Sequence, residues 1–593
     1  MQRRNFIKRV AIALQMLGTC SISFTKNLTD KFNAASAATY PIDPRVSTTL
    51  DRTVTPKPDI KGLIPKELSK LSEYSKYGYG TWSYGPGLEP EMRNDLMVPG
   101  FVDRDVHHQL KLLHFFTITD IHITDKESPS QFIYLQQADR TGQYITSIYS
   151  PIMPYTTHVL DAAVQTINAI HQNNKMDFGL SLGDTCNSTQ YNELRWYIDV
   201  LDGGLITPSS GAHAGAEAGA NTIDYQKPYK AAGLDKSIPW YQVLGNHDHF
   251  WLGSFPVNDY FRQSYISDTV IALGDAFENP KNLFKPDYYM GVLDGSTPDA
   301  KIIGAGPVGS FNHPPKVVAD PDRRSLTRQE WMGEFFKTST LPAGHGFDLV
   351  NTKNGFACYS FMPKSDLPLK VIVLDDTQSD DDGSEDIHGH GFLDQARYSW
   401  LKKELAAGQA AGQLMMIAAH IPIAVEPDNS EVEWWLSPLN AVTLPALITE
   451  LHQYPNLLVW LAGHRHFNTV KAFVSPNPVL APEQGFWQVE TASLRDFPQQ
   501  FRTFEIYLNN DYSVSIKTLN VDPSVREGTP AAKSRQYAVA AQQIVKNKGI
   551  YQNPSSLADS TIRPMPVGSY NAELRKQLSA EMIGRLKKLY AFT

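Results

Sequence analysis

The chain has 593 residues, 42% of them apolar, with a formal net charge of −8, enough apolar length to bury one large core or two moderate ones. Residues 1–37 carry six positive charges (Arg3, Arg4, Lys8, Arg9, Lys26, Lys31) against Asp30, a net +5; subtracting this from −8 leaves −13 for the remainder. That balance excludes a disordered chain and argues against a general binder of nucleic acid or anionic membranes.

The first twenty residues, MQRRNFIKRVAIALQMLGTC, place a basic stretch before an apolar run from Val10 to Leu17 that is too short to span a bilayer. An export signal is expected, with cleavage after Ala35-Ser36-Ala37. The string Arg3-Arg4-Asn5-Phe6-Ile7-Lys8 resembles a twin-arginine signal, whose export machinery is then a partner and carries proteins already folded. The predicted location is periplasmic or extracellular, or held at the envelope. Cys20 offers a rival reading as a lipidation site, against which Thr19 is a poor preceding residue, and an uncleaved N-terminal anchor is the other alternative. Only Cys186 and Cys358 remain in a cleaved chain, and buried free thiols are expected. No later segment has the apolar length of a transmembrane helix.

Residues 38–110, rich in Pro, Lys, Tyr and Gly, lack sustained periodicity and read as an extension that wraps the domain. From Lys111 short apolar runs recur, each ending in Asp, His, Asn or Gly. They are Leu112–Thr119, Phe178–Leu182, Tyr241–Leu244, Val371–Leu374, Leu414–Ala419 and Leu457–Ala462. Helical faces lie between several of them, such as Leu160, Ala163, Val164, Ile167 and Ile170, or Trp400, Leu401 and Leu405. This alternation predicts βαβ construction with the polar residues just past the carboxyl ends of strands, where open α/β sheets place their sites. Two insertions, about 205–232 and 250–368, read as loops or lids rather than core. The tail 523–593 predicts an Ala-rich helix near Ala531–Val545 and a second helix from Asn571, with a stripe of Leu574, Leu578, Met582, Leu586 and Leu589 packing on the main domain.

The strand ends carry the chemistry. Asp120-Ile121-His122 puts a carboxylate and an imidazole where one turn can aim both at a single ion. Gly183-Asp184 adds a carboxylate able to bridge two cations through its two oxygens. Gly245-Asn246-His247-Asp248 is the most specific string: Asn246 offers an amide oxygen and leaves His247 free for proton work. His420 and Gly463-His464-Arg465-His466 complete the set. Each pair alone is weak, since Asp and His also cap turns.

In this order the five blocks resemble the calcineurin-like metallophosphoesterases, over about Leu112 to Val521. Asp375 and the Phe392–Leu405 helix resemble that family's segment ahead of its fourth motif. The signal, extension and tail further resemble large bacterial metallophosphoesterases exported by the twin-arginine route. The resemblance implies a four-layer α/β/β/α sandwich over 111–522. It implies a binuclear centre with one metal on Asp120, His122, Asp184 and His466, and a second on Asp184, Asn246, His420 and His464. The metals are two divalent or mixed-valence ions, with Mn, Fe, Zn and Co all suited to a mixed N/O set. The implied reaction is hydrolysis of a phosphate mono- or diester, from a small molecule or a lipid, by metal-bridged hydroxide with His247 as general acid. Many members place an Asp three residues after the bridging Asp to pair with that histidine. Here it is Asn187, expected to orient His247 through its amide and leave it less basic. Asn187 also stands where purple acid phosphatases need a Tyr, so a charge-transfer iron site is not expected. The alternative from another class is a non-catalytic, metal-containing envelope protein. His249, Arg465, Arg495 and the Asp380–Asp386 stretch with His388 and His390 are read as structural or solvated.

Overall fold

The apolar runs that end in ligand-type residues become the strands of two sheets. The computed structural model describes residues 37–57, 67–137, 146–211, 224–276, 278–297, 299–383, 388–425, 434, 437–547 and 569–592. The expected export signal up to Ser36, Cys20 and residues 212–223 of the first insertion lie outside the described residues.

The first sheet has seven strands in the order Glu91–Leu96, Ala572–Lys576, Val514–Val521, Phe501–Asn509, His108–Ile118, Phe178–Ser181 and Trp240–Gln242. The last three, which carry the first three motifs, are parallel neighbours. The second sheet has six, in the order Tyr359–Phe361, Leu369–Val373, Leu414–Ala418, Leu457–Ala462, Phe486–Glu490 and Thr469–Phe473. Its four middle strands are parallel. Parallel strands are covered on both faces and therefore read as unbroken apolar runs, which is why these were visible in the sequence.

Alternate side chains divide the second sheet between two cores. Leu369, Val371, Val373, Leu414 and Met416 join Phe115, Phe504 and Ile506 of the first sheet in the main cluster. Ile372, Met415, Ile417 and Trp460 turn the other way, onto Leu401, Leu405 and Leu447 of the helices Gln395–Ala410 and Leu444–Leu451. The helix Thr156–Asn173 crosses between two parallel strands of the first sheet and buries Leu160, Val164 and Ile167 in the main cluster. The layering is the α/β/β/α sandwich.

Three expectations change. Residues Ala572–Lys576 are a strand, not the start of a helix, and the helix begins only at Ala580, where the Ser579 hydroxyl caps it. The Leu574 to Leu578 spacing mimics a helical face. Pairing with Val514–Val521 on one side and Glu91–Leu96 on the other overrides it by satisfying a row of backbone groups on each flank. Leu574, Leu578, Met582 and Leu586 do enter the main core, whereas Leu589 is exposed. The 38–110 extension does more than wrap, since its Glu91–Leu96 strand is an edge of the main sheet. The insertion after His249 is also partly core: Trp331, Met332, Phe335 and Phe347 sit in the main cluster. Trp331, Met332 and Phe335 lie on or just past the short helix Arg328–Glu334, which a Thr327/Glu330 capping box opens; burying each such side chain stabilises the fold by about 1.5–3 kcal/mol. Cys186 and Cys358 are buried free thiols. Among the described residues no helix is long and apolar enough to cross a membrane.

Candidate metal centre

Asp120 and His122 follow the His108–Ile118 strand, and Asp184 follows Phe178–Ser181. The two loops continue the strand pairing past the sheet edge: Asp120 N–H donates to Gly183 O (3.1 Å), His122 N–H to Asp184 O (3.0 Å) and Ile123 N–H to Thr185 O (2.9 Å). Asp120, His122 and Asp184 all adopt left-handed backbone (φ 51°, 47°, 53°), as do His464 and His466 (φ 73°, 65°). Such conformations cost about 1–3 kcal/mol each for residues with a Cβ and persist only where the surroundings over-determine them. Here the lacing between loops does so, and the kinks turn side chains from both sheets toward one point. Gly183, at φ 97°, lies so close to Gly245 and the His420 ring that a methyl group would be forced against them.

The ligand atoms fall into groups whose members lie within 4.8 Å of one another: Asp120 with His122 and His466, and Asp184 with His420 and His464. His122 and His466 bring their Nε2 atoms to 3.2 Å, and His466 Nε2 lies 3.4 Å from Asp120 Oδ1. Asn246 Oδ1 is 2.9 Å from His420 Nε2, while its Nδ2 donates to Gly253 O (2.9 Å), fixing the amide oxygen inward. The seven residues named from the sequence are thus brought together from five loops on two sheets. His247, 4.5 Å ring to ring from His122, groups with His122 and Asp184.

Whether this set suits cations is decided at His420. Its Nδ1 is 2.7 Å from the Leu182 carbonyl, so Nδ1 carries the proton. Nε2 then faces two acceptors, Asn246 Oδ1 and, at 3.2 Å, Asp184 Oδ2. A lone pair directed at two oxygens is repulsive unless a positive charge lies between them. Burial alone would lower His420 and His466, yet the Asp184 and Asp120 carboxylates lift both to about 10. A proton there does what a metal ion would do better, and a buried mix of imidazole, carboxylate and amide oxygen suits two divalent ions.

Partners outside the ligand set hold it in place. Asp496 accepts from His466 Nδ1 (2.5 Å) and from Thr146 Oγ1 (2.7 Å), directing His466 Nε2 inward. The Asp248 carboxylate, which burial pushes up to about 7, accepts from the N–H groups of Asp184, Thr185 and Gly245. Asp376, also raised by burial to about 7, accepts from the N–H groups of His420 and Ile421. Sequence reasoning missed Asp496 and Asp376 as partners. Asp376 was marked by its place just past the Leu369–Val373 strand, whereas Asp496, six residues past Phe486–Glu490, had no such mark.

Asn187 corrects the expectation made for it. His247 Nδ1–H donates to the backbone carbonyl of Asn187 (2.7 Å), not to its side chain. The amide side chain is turned away, donating to Ser147 O (3.0 Å) and accepting from Arg495 Nη1 (3.2 Å). The turn after Asp184 aims the peptide group at His247 and leaves the side chain no path to it. His247 lies below the usual histidine range, mainly through burial. Gly253 (φ 69°) roofs this ring so closely that a Cβ would collide with it.

The residues read as structural behave so. Arg495 is buried and binds His122 O, Thr124 Oγ1 and Thr146 O. Arg465 points away from the centre to Glu490 (Nε to Oε1, 2.7 Å). His249 is buried against Thr377 Oγ1 (2.9 Å), and His388 lies 3.4 Å from Asp382; residues 384–387 of the acidic stretch lie outside the described residues.

No protein-family model matches the chain. No curated protein matches it either. Solved structures do. A dimetal phosphatase from Danio rerio is similar at 12% identity and a TM-score of 0.33, over 70% of this chain and 97% of that one. PhoD is similar at 11% identity and a TM-score of 0.28, over 79% of this chain and 81% of that one. Purple acid phosphatase PPD1 from yellow lupin (Lupinus luteus) seeds is similar at 12% identity and a TM-score of 0.29, over 69% of this chain and 52% of that one. Likenesses of this size carry no argument about chemistry, which rests on the donor geometry.

Proposed function

We propose that the chain is an exported, two-metal hydrolase of phosphate mono- or diesters of the calcineurin-like kind. The observation that carries this reading is the gathering of Asp120 with His122 and His466, and of Asp184 with His420 and His464, each group within 4.8 Å. One ion would be held by Asp120, His122, Asp184 and His466, the other by Asp184, Asn246, His420 and His464. Bound there, two ions lower the pKa of water, polarise phosphoryl oxygens and stabilise the in-line transition state.

The protein's own groups supply the rest. His247 has its Nδ1–H committed to the Asn187 carbonyl, so its Nε2 is the atom that holds and delivers a proton to the leaving alkoxide. Asp496 and Leu182 O keep His466 and His420 in the tautomers whose Nε2 lone pairs point inward. Burial of the whole set strengthens these interactions by removing water. The basic first residues support export before the chain meets its ester, and local cationic charge overcomes an acidic surface.

Metal analysis of protein exported by its native route, followed by hydrolysis of 4-nitrophenyl phosphate and bis(4-nitrophenyl) phosphate, tests the reading. Two metals per chain and turnover abolished in Asp184→Ala are expected. Metal-replete protein that leaves both esters intact overturns it in favour of a non-catalytic envelope protein.

A further inference from the structure

Glu193 has no place in the metal set, yet it is fully buried in the first turn of the helix Tyr191–Asp202. An acidic side chain here ordinarily turns back to its own helix end. Glu193 reaches past it. Its Oε2 accepts from the N–H groups of Asn187 (3.1 Å) and Ser188 (2.9 Å), and its Oε1 accepts from Asp125 N–H (2.8 Å). Asp125 lies three residues beyond His122, and Asn187 lies three beyond Asp184. One carboxylate therefore clamps the loops of the first two motifs from behind.

The clamp leads to the proton donor. The peptide that joins Asn187 to Ser188 offers its N–H, that of Ser188, to Glu193 Oε2 at 2.9 Å and its carbonyl, that of Asn187, to His247 Nδ1 at 2.7 Å. The Asn187 N–H also meets Ile123 O (2.9 Å), so the turn is gripped at once by the first motif's loop and by the helix. The neighbouring Asn192 is part of the same assembly: its side chain donates to Asp125 Oδ2 (2.8 Å), and Asp125 pairs with Arg323 at 3.1 Å. Burial pushes the Glu193 carboxyl up to about 8, while the N–H groups of Asp125 and Ser188 oppose that rise. Its oxygens accept from these groups in either state, and polarising a peptide through its N–H makes its carbonyl a better acceptor.

We propose that Glu193 is a positioning residue for proton donation: through the Asn187 peptide it sets the orientation of His247 and the strength of its Nδ1 hydrogen bond. A buried carboxyl group thus acts on the histidine through the backbone, an assignment that rests on His247 being the general acid. Its signature is selectivity for the leaving group. An ester with a poor leaving group needs the proton, whereas a nitrophenyl ester does so less.

The test compares kcat and KM of wild type and Glu193→Gln on 4-nitrophenyl and unsubstituted phenyl phosphate, or on the corresponding diesters if those are turned over. Metal content is measured alongside. Glutamine keeps the length but replaces one acceptor oxygen by a donor. The expected result is two metals per chain, KM within about twofold, and kcat on the phenyl ester falling about tenfold more than on the nitrophenyl ester. The extra loss disappears when Glu193→Gln is made in His247→Ala, because the effect passes through that ring. Equal loss on both esters, or a selective loss that persists without His247, overturns the proposal. If Glu193→Gln does not fold, Glu193→Asp, which keeps the carboxyl group but falls short of the Ser188 N–H, is read by the same ratio. Wild-type protein that hydrolyses neither ester would count against the proposed function itself, a separate outcome from a flat ratio in the variants.

Discussion

The two sheets supply the centre unequally. The seven-stranded sheet contributes Asp120, His122, Asp184 and Asn246, thus both carboxylates and the amide, on loops laced to one another through the backbone. The six-stranded sheet contributes only imidazoles, His420, His464 and His466, each held by an acid: Asp376 at the His420 N–H, Asp120 at the His464 N–H, and Asp496 at His466 Nδ1. The first half is stiffened by main-chain ladders and supplies charge; the second is aimed by carboxylates and supplies neutral donors. Neither half can hold a pair of cations alone.

That contrast can be broken at its centre by Asp184→Ala, which removes the carboxylate shared by two of the three ligand groups. The expected outcome is loss of bound metal, seen by elemental analysis, and activity at background. His247→Ala spares the ligands, so metal content stays while kcat on a poor leaving group falls by about 10²–10⁴. Asp496→Ala releases only the aim of His466 and is expected to cost about 10- to 100-fold in metal affinity or activity, read by titrating apoprotein with Mn or Zn.

Asp375 probes the second half's scaffold rather than its chemistry. It lies between Arg328 and Arg397 (3.1 Å to Arg397 Nη1), and although burial opposes it, the two guanidinium groups hold its carboxyl at about 2 against an ordinary 3.8. A depressed carboxyl contributes stability that is fully present above 3.8 and lost as pH falls toward 2. Asp375→Asn should therefore cost about 3 kcal/mol near neutral pH by denaturant unfolding, since it takes the pairing carboxylate from Arg328 while Arg397 keeps only Asp394. The gap from wild type should narrow as pH drops through that window. The smallest effect belongs to Asn187→Asp, because His247 is held by a backbone carbonyl: one altered side-chain hydrogen bond, about 1 kcal/mol, changes kcat by about fivefold.

The parallel strands and their terminal motifs were legible because strands buried on both faces must be apolar and must stop where polar ligands begin. The tail strand was not. Ala572–Lys576 pairs with partners some 50 and 480 positions away, at Val514–Val521 and Glu91–Leu96, and only that pairing makes it extended. Phe347 was hidden for a like reason, being core by position and not by pattern, whereas Trp331 lies on a helix whose Thr327/Glu330 capping box was there to be read.

By itself the sequence singled out candidate ligand-type side chains and the strand ends that carry them, because local apolar runs and ligand-type residues are properties of short segments. Only the tertiary structure decided that five loops close on one point, that five ligands sit in left-handed backbone, and that Asn187 serves His247 through its peptide. Those outcomes depend on hydrogen bonds between residues tens to hundreds of positions apart, whose partners no local pattern records.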